Sequence, residues 1–487
     1  MTNLFVNTIT EKTNTTMQGG MKSYLSTLNC NLDFYAVSGN LNVTKTDLIS
    51  KFTSALNEDE NLAIRNLLHM RDVRTGKGIR SNSRLLLIWL ASNKPDLITK
   101  TKLIERMVQL GRWDDIFEVL RQTNKRPSNF VINYIADELS KETPNPLLCK
   151  WLPRQSTAVQ KRTSNYDILP KLLAERLKLT PKQYRQLVVK HTNVVETQMC
   201  NNKWKDINFQ HVPSQAFRIY KNAFKNHTPD LFTEFLNKVE KGEAKVNAGA
   251  VWPHELLKEV LPDGNRNVYD QATSAQWNSL PDFIKDGKSI LPMIDVSGSM
   301  ACRAYSSYTC STVAVALGLY TAERNKSAFK NMFLNFSTQP SFGVVKDTQT
   351  LTSKINTITS TGWSGSTNII AAFEAILEHA IQHQISQNDM PEILVVFTDM
   401  AFNSHKSSST VQELLVKKYN DAGYVPPMTV WWNLSGNPSV PVIDTTSNTC
   451  IVSGFSPSNF SAILGIEVMT PIAVMQTALL QDKYNYC

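Results

Sequence analysis

Ile290-Leu291-Pro292-Met293-Ile294-Asp295-Val296-Ser297-Gly298-Ser299 is the stretch that decides the fold. Five apolar residues run into an aspartate, and two serines follow with a glycine between them. A short, continuous apolar run that stops at turn residues reads as a strand buried on both faces, as in parallel sheets. Pro292 argues against a central position, because proline has no N–H to give to a ladder. A second run of the same texture, Ile393-Leu394-Val395-Val396-Phe397-Thr398, ends on Asp399.

The surrounding sequence alternates between two periods. Residues 311–323, 351–358, 368–383, 411–419 and 459–464 have helical spacing. Residues 331–336, 341–346, 428–432 and 450–453 read as strands, the first two as a possible hairpin. Strands separated by helices predict a doubly wound, mostly parallel (Rossmann-type) sheet, with ligands beyond the carboxyl ends of its strands.

Asp295, Ser297, Ser299 and Asp399 all follow strands that end at that edge. Gly365-Ser366-Thr367-Asn368 lies between them in sequence, just before a helix. Carboxylate and hydroxyl oxygens suit a small hard cation: Mg2+, partly hydrated and open to one outside ligand, or another divalent ion such as Mn2+ or Ca2+. Taken singly the pieces are ordinary, since a strand often ends in aspartate and a serine there can cap the next helix. Together, Asp295-x-Ser297-x-Ser299, Thr367 and Asp399 resemble the metal-ion-dependent adhesion site of von Willebrand A domains at all five positions. The resemblance implies Ser297, Ser299 and Thr367 as direct ligands, Asp295 and Asp399 acting mainly through water, and an acidic residue of a protein partner as the last ligand. Ser364 or Ser366, in the same loop, can stand in for Thr367.

The rest of the chain has another character. Its 487 residues exceed one ordinary hydrophobic core, so two domains are expected. Residues 45–261 are helical in pattern, broken by Gly and Pro at intervals that mark short helices, the texture of an α-solenoid without a fixed repeat. Residues 262–287 are rich in Pro, Gly, Asn and Asp, and a junction is expected there. The resulting division is 1–285, an α-helical repeat domain of HEAT-like solenoid or ring form, and 286–487, the α/β domain. Residues 1–288 hold 41 Lys and Arg against 29 Asp and Glu, and residues 289–487 hold 10 against 13, so the basic excess lies in the first part. Such asymmetry points to a polyanion, although solvated helix faces give the same count.

Basic residues gather at Arg71, Arg74, Lys77, Arg80 and Arg84 around a glycine-containing turn, and again at Arg112, Lys150 with Arg154, Lys161 with Arg162, and Lys203 with Lys205 beside Trp204. Exposed backbone amides with guanidinium groups can hold phosphates, and an aromatic can stack on an unpaired base. The plainer reading is that arginines close to Asp72, Asp114, Asp115 or Asp206 tie helices together by ion pairs. RDVRTGKGIR at 71–80, GRWDD at 111–115 and WLPR at 151–154 resemble the helical TROVE region of Ro-type ribonucleoproteins. Stretches at 32–35, 193–196, 212–214 and 241–247 are closer still to a poorly characterised group of plant, fungal and viral proteins that join such a region to a von Willebrand A-like domain. The resemblance implies binding of structured or single-stranded RNA, as an RNA chaperone or ribonucleoprotein scaffold, with Arg71, Arg74, Lys77, Arg80, Arg84, Arg112, Arg154 and Lys203 as contacts. The competing expectation is a metal-dependent protein-interaction scaffold with no specific RNA role.

A hydrolase is disfavoured. The chain has no HExxH and no GxSxG, and Gly287-Lys288-Ser289 fails as a phosphate-binding loop because Asp282 stands where its first glycine belongs. His191, His211, His254 and His405 stand apart in sequence. The seven cysteines are scattered without a CxxC pair, so neither a disulfide framework nor a zinc site is expected. No apolar run approaches the roughly 20 residues of a membrane span, and the first residues lack the basic start and apolar core of a secretory signal. The expected location is the cytoplasm, that of the host cell if the chain is viral.

Overall fold

The computed structural model describes residues 14–16, 22–122, 126–154, 168–257, 270–284, 287–360, 365–402, 409–437 and 441–485. Lys161, Arg162, Ser364, His405 and residues 262–269, 285 and 286 of the expected junction lie outside the described residues. The chain divides into two compact units. One comprises Met1–Asn66, Thr75–Lys77 and Val251–Lys483, the other Leu67–Arg74, Gly78–Ala250 and Tyr484–Cys487. Within the first unit helix Cys30–Ser38 packs on a strand of the main sheet and helix Pro253–Leu257 packs on helix Cys310–Arg324, so its described residues come from both sides of the expected 285/286 boundary.

In the first unit a short antiparallel pair, β1 (Asn14–Thr16) and β2 (Lys22–Tyr24), precedes the main sheet. The strands that follow are β3 (Ile290–Asp295), the ribbon strands β4 (Arg303–Tyr305) and β5 (Tyr308–Thr309), then β6 (Met332–Phe336), β7 (Ser341–Val344), β8 (Ile393–Thr398), β9 (Met428–Asn433) and β10 (Thr449–Ser453). Six of them form one sheet in the order β10-β9-β8-β3-β6-β7, parallel except for β7, which turns back on β6 as the expected hairpin. The expected doubly wound sheet is therefore present.

Its strands are buried because helices cover both faces. Leu291, Met293, Leu334, Leu394, Val396, Trp431 and Ile451 pack with Ile369, Phe373 and Ile376 of helix Ile369–Gln382 and with Val411 and Leu415 of helix Val411–Asp421. Strand alternation sends the intervening residues to the opposite face. There helix Cys310–Arg324 lies on β3 so closely that a Cβ on Gly318 would fall 2.4 Å from Ile294 Cδ1.

Pro292 corrects one expectation, since β3 is central, between β8 and β6. The Ser289 carbonyl accepts from Ile393 N on the β8 side, so alternation turns Ile290 and Pro292 toward β6. The β6 ladder begins only at Met293↔Leu334, and the Ile290 carbonyl accepts instead from Asn325 Nδ2 at 2.6 Å. The missing N–H thus faces a position where no ladder bond exists to be lost.

The edge strand β10 is covered by helix Cys30–Ser38, which protects a row of otherwise unpaired backbone groups. Gly39 N donates to Ser453 Oγ at 3.1 Å, and a Cβ on Gly39 would stand 2.4 Å from the Ser453 carbonyl oxygen.

The second unit is a solenoid-like succession of short helices, each packed on near neighbours. Helix Ser81–Asn93 meets helix Trp113–Gln122, which in turn meets helices Leu103–Leu110, Arg126–Leu139 and Pro146–Trp151. A second core around helices Ser214–His227 and Pro229–Glu240 is aromatic, with Phe209, Phe217, Phe224 and Phe232 at ring distances of 5.2 to 5.8 Å. The first helices are pinned by a buried charge cluster. Asp115 accepts from Arg71 Nε at 2.8 Å, Arg84 Nε at 2.7 Å and the Arg112 backbone N–H at 2.9 Å. Gly111 leaves the room, since its Cβ would lie 2.7 Å from Arg71 Nε.

Two outcomes are expected in denaturant titrations. Gly39→Ala lowers the stability of the sheet unit by about 1–3 kcal/mol, the usual cost of overpacking. Asp115→Ala strands a buried arginine and costs the helical unit about 3–5 kcal/mol.

Candidate metal centre

β3 and β8 run side by side in parallel, paired through Ile294↔Phe397, so both deliver their terminal residues to one edge of the sheet. There Thr398 Oγ1 donates to Asp295 Oδ2 at 2.7 Å, joining the two strand ends. Asp295 Oδ1 accepts the Ser297 backbone N–H at 3.0 Å, which curls the loop back over the strand. The Ser297 and Ser299 hydroxyls stand 3.1 Å apart, and Ser299 hydrogen-bonds the Asp399 carboxylate. Asp399 is itself fixed, its Oδ1 accepting from Ala401 N at 3.0 Å and its carbonyl from Ser435 Oγ at 2.8 Å.

The third loop is tied to the first. Gly298 N donates to the Gly365 carbonyl at 3.2 Å, and Asn368 N donates to the Ser337 carbonyl at 2.9 Å, just beyond β6. Gly365 has a φ of +99°, and a Cβ there would sit 2.2 Å from Thr338 Oγ1, so this turn requires glycine. Asn368 caps helix Ile369–Gln382 by accepting from Ala371 N, which leaves Thr367 buried in the loop just ahead of it. Ser366 is exposed, and its hydroxyl lies 3.4 Å from Thr338 Oγ1.

Asp295, Ser297, Thr367 and Asp399 are buried, whereas Gly298 and Ser299 are exposed. The oxygen cluster therefore opens to solvent past Ser299. Burial pushes the Asp295 carboxyl up to about 7 against the hydrogen bonds it accepts from Ser297 and Thr398, and the neighbouring charge of Asp399 raises it further. Asp399 is also raised, chiefly by burial. Burial, hydrogen bonds and, for Asp295, the charge of Asp399 are the main influences on the two carboxylates. Two buried carboxylates beside hydroxyl oxygens fit a divalent cation. Among the described residues no group of three or more His, Cys, Asp and Glu that could hold a metal ion gathers anywhere.

The basic residues fare differently. Arg71 is 1% exposed and held by Asp115, with its Nη2 2.7 Å from Oδ2. Lys77 is fully buried in the sheet unit. Its Nζ donates to the Tyr35 carbonyl, to Ser38 Oγ at 2.9 Å and to Ser453 Oγ at 3.1 Å, and burial lowers its pKa well below the ordinary lysine value. Arg84 is paired with Asp114 at 2.9 Å and Asp115 at 2.7 Å. Neither Arg71 nor Lys77 offers a cation to solvent. Arg112 pairs with Asp114 at 2.9 Å and lies over the Trp151 ring at 4.6 Å, still partly open, while Arg74, Arg80, Arg154 and Lys203 are exposed. Trp204 has one face occupied by His227, stacked at 3.9 Å. Sequence reasoning did not single out Thr398 or Ser435, which orient the two aspartates. Thr398 had a signal in its place immediately before Asp399.

Residues 289–478 match a family described as a domain of unknown function (DUF7788), and residues 155–290 match another domain of unknown function (DUF2828). An uncharacterised protein, L728, of Acanthamoeba polyphaga mimivirus is 28% identical, the match covering 94% of this chain and 86% of that one. The crystal structure of the Deinococcus radiodurans RO (RSR) protein is similar at 14% identity and a TM-score of 0.39, covering 93% of this chain and 99% of that one.

Proposed function

We propose that the chain is a non-enzymatic RNA-binding protein of Ro-like type, an RNA chaperone or ribonucleoprotein scaffold, whose sheet unit holds a Mg2+ ion. The observation that carries the RNA reading is the distribution of charge. The helical unit has 31 Lys and Arg against 17 Asp and Glu, or +14, and the remainder of the chain has 20 against 25, or −5. A compact helical body of that charge attracts a polyanion, and contacts to phosphates would supply most of the affinity. Arg74, Arg80, Arg112, Arg154 and Lys203, exposed or partly exposed, would make those contacts. Arg71, Lys77 and Arg84 act on the fold instead.

In the sheet unit Ser297, Ser299 and Thr367 would hold the cation directly, with Asp295 and Asp399 neutralising it mainly through water. The bound ion supplies a positive centre for an oxygen ligand. The opening past Ser299 favours a second reading alongside the first, in which an acidic side chain of a protein partner completes the coordination. No helix among the described residues is long and apolar enough to cross a membrane.

Filter binding of structured RNA tests the first reading. Five phosphate contacts predict that affinity falls on the order of a hundredfold between about 50 and 200 mM salt. Arg112→Ala and Arg154→Ala should each flatten the salt dependence. Affinity no greater than that of an unrelated protein of equal charge would discard the assignment.

The cation is tested by thermal unfolding with and without MgCl2. The folded pKa of Asp295 lies above its unfolded value of 3.8. In cation-free protein its contribution to stability is therefore full below about pH 4 and is lost as pH rises through about 7. Mg2+ competes with that proton, so stabilisation by MgCl2 should be large at pH 8 and small at pH 5.5. Asp295→Asn should remove the response to Mg2+ and raise the melting temperature of cation-free protein at pH 8. A Mg2+ response that Asp295→Asn leaves intact would rule out this site.

A further inference from the structure

We infer that Cys302 and Cys310 form a redox-responsive pair, a site of reversible disulfide formation at the rim of the candidate metal centre. The two thiols bracket the ribbon of β4 and β5, in which Arg303 pairs with Thr309. The same antiparallel register places Cys302 opposite Cys310, and the backbone confirms that rung, with Cys310 N donating to the Cys302 carbonyl at 3.0 Å. Residues opposite one another on antiparallel strands have Cα atoms about 4.5 to 5.5 Å apart, inside the range a disulfide requires. The sulfurs already lie 3.2 Å from one another as free thiols. Bonding at about 2.05 Å asks for a closure of about 1.2 Å, within reach of side-chain rotation.

The two positions differ in access. Cys302 is exposed and Cys310 is buried. Hydrogen peroxide reaches Cys302 first. Its sulfur attacks the peroxide oxygen, the O–O bond breaks, and one water leaves as Cys302 becomes a sulfenic acid. Cys310 then attacks that sulfur, the S–O bond breaks and a second water leaves. In sum, two thiols and one hydrogen peroxide give one disulfide and two waters. The buried partner waiting behind the exposed thiol would intercept the sulfenic acid before further oxidation. Closure ties a nine-residue ring onto the loop that carries the candidate ligands, because Cys302 N donates to the Ser299 carbonyl at 2.9 Å. The other described cysteines, Cys30, Cys149, Cys200 and Cys450, are likewise free thiols.

Trypsin provides the test, because cleavage after Arg303 places Cys302 in peptide 289–303 and Cys310 in peptide 304–324, each with no other cysteine. The folded full-length chain is exposed to hydrogen peroxide, blocked with an alkylating agent and digested without reductant. The expected result is a linked pair of these peptides, lighter by two hydrogens than their sum, lost on adding dithiothreitol and absent from Cys302→Ser. In Cys310→Ser, checked for native circular dichroism, Cys302 should instead run on to sulfinic acid. Sulfinic acid at Cys302 in the unaltered protein, linkage of Cys302 to Cys200, or a linked pair that appears only in urea would each overturn the assignment. None of these readouts depends on whether the neighbouring loop binds a cation.

Discussion

The bond from Thr398 to the Asp295 carboxylate joins the ends of the two central strands. Both strands are buried along their whole length, so neither can slip by one residue without sending its apolar side chains to the wrong face. That constraint fixes the height at which β3 and β8 finish, and with it the position of every oxygen in the candidate site. Ser297 and Ser299 follow from the turn that Asp295 nucleates. Asp399 follows from Thr398, and the loop at Gly365 is held by Gly298. The site is thus a by-product of strand registration, which leaves its geometry little freedom once the core has packed.

Such a construction carries an electrostatic cost. Burial raises Asp295 and Asp399 together, and the hydrogen bonds they accept offset it only in part. The helical unit solves the same problem in the opposite way. Asp115 is just as buried, yet it receives Arg71 and Arg84, so its charge is matched within the unit. One buried carboxylate is satisfied internally and serves the fold. The other two keep raised pKa values at one edge of the sheet, and shifts of that kind gather at functional sites in proteins generally.

Much of this was legible in local sequence. The apolar runs of β3 and β8 are long enough to read as buried strands, and the aspartates that end them lie where a parallel sheet gathers its ligands. Helices Cys310–Arg324, Ile369–Gln382 and Asn459–Leu464 stand within one or two residues of their expected limits. What could not be read depends on partners distant in the chain. Pro292 is tolerated because the β6 ladder starts one residue later. Arg71 and Lys77 look like surface cations until Asp115, and Tyr35 with Ser453, are brought around them. Helix Cys30–Ser38 lies outside the stretch whose spacing reads as helical, and its place in the sheet unit rests on a contact with β10 more than 400 residues away. The ribbon of β4 and β5 is too short to leave a periodic signal.

The discontinuity of the sheet unit has a consequence for biosynthesis. Residues 67–250, apart from the short excursion at 75–77, belong to the helical unit, and they leave the ribosome before any strand of the main sheet exists. Helices that pack on near neighbours condense early, because little chain entropy is spent in closing their loops. Helix Cys30–Ser38, the first of the described helices to be synthesised, waits for β10, the last strand of the sheet to emerge. During that interval the part of the helix that β10 will cover stays open, although helix Lys45–Glu58 already covers the rest, so this surface is closed only when the sheet is complete.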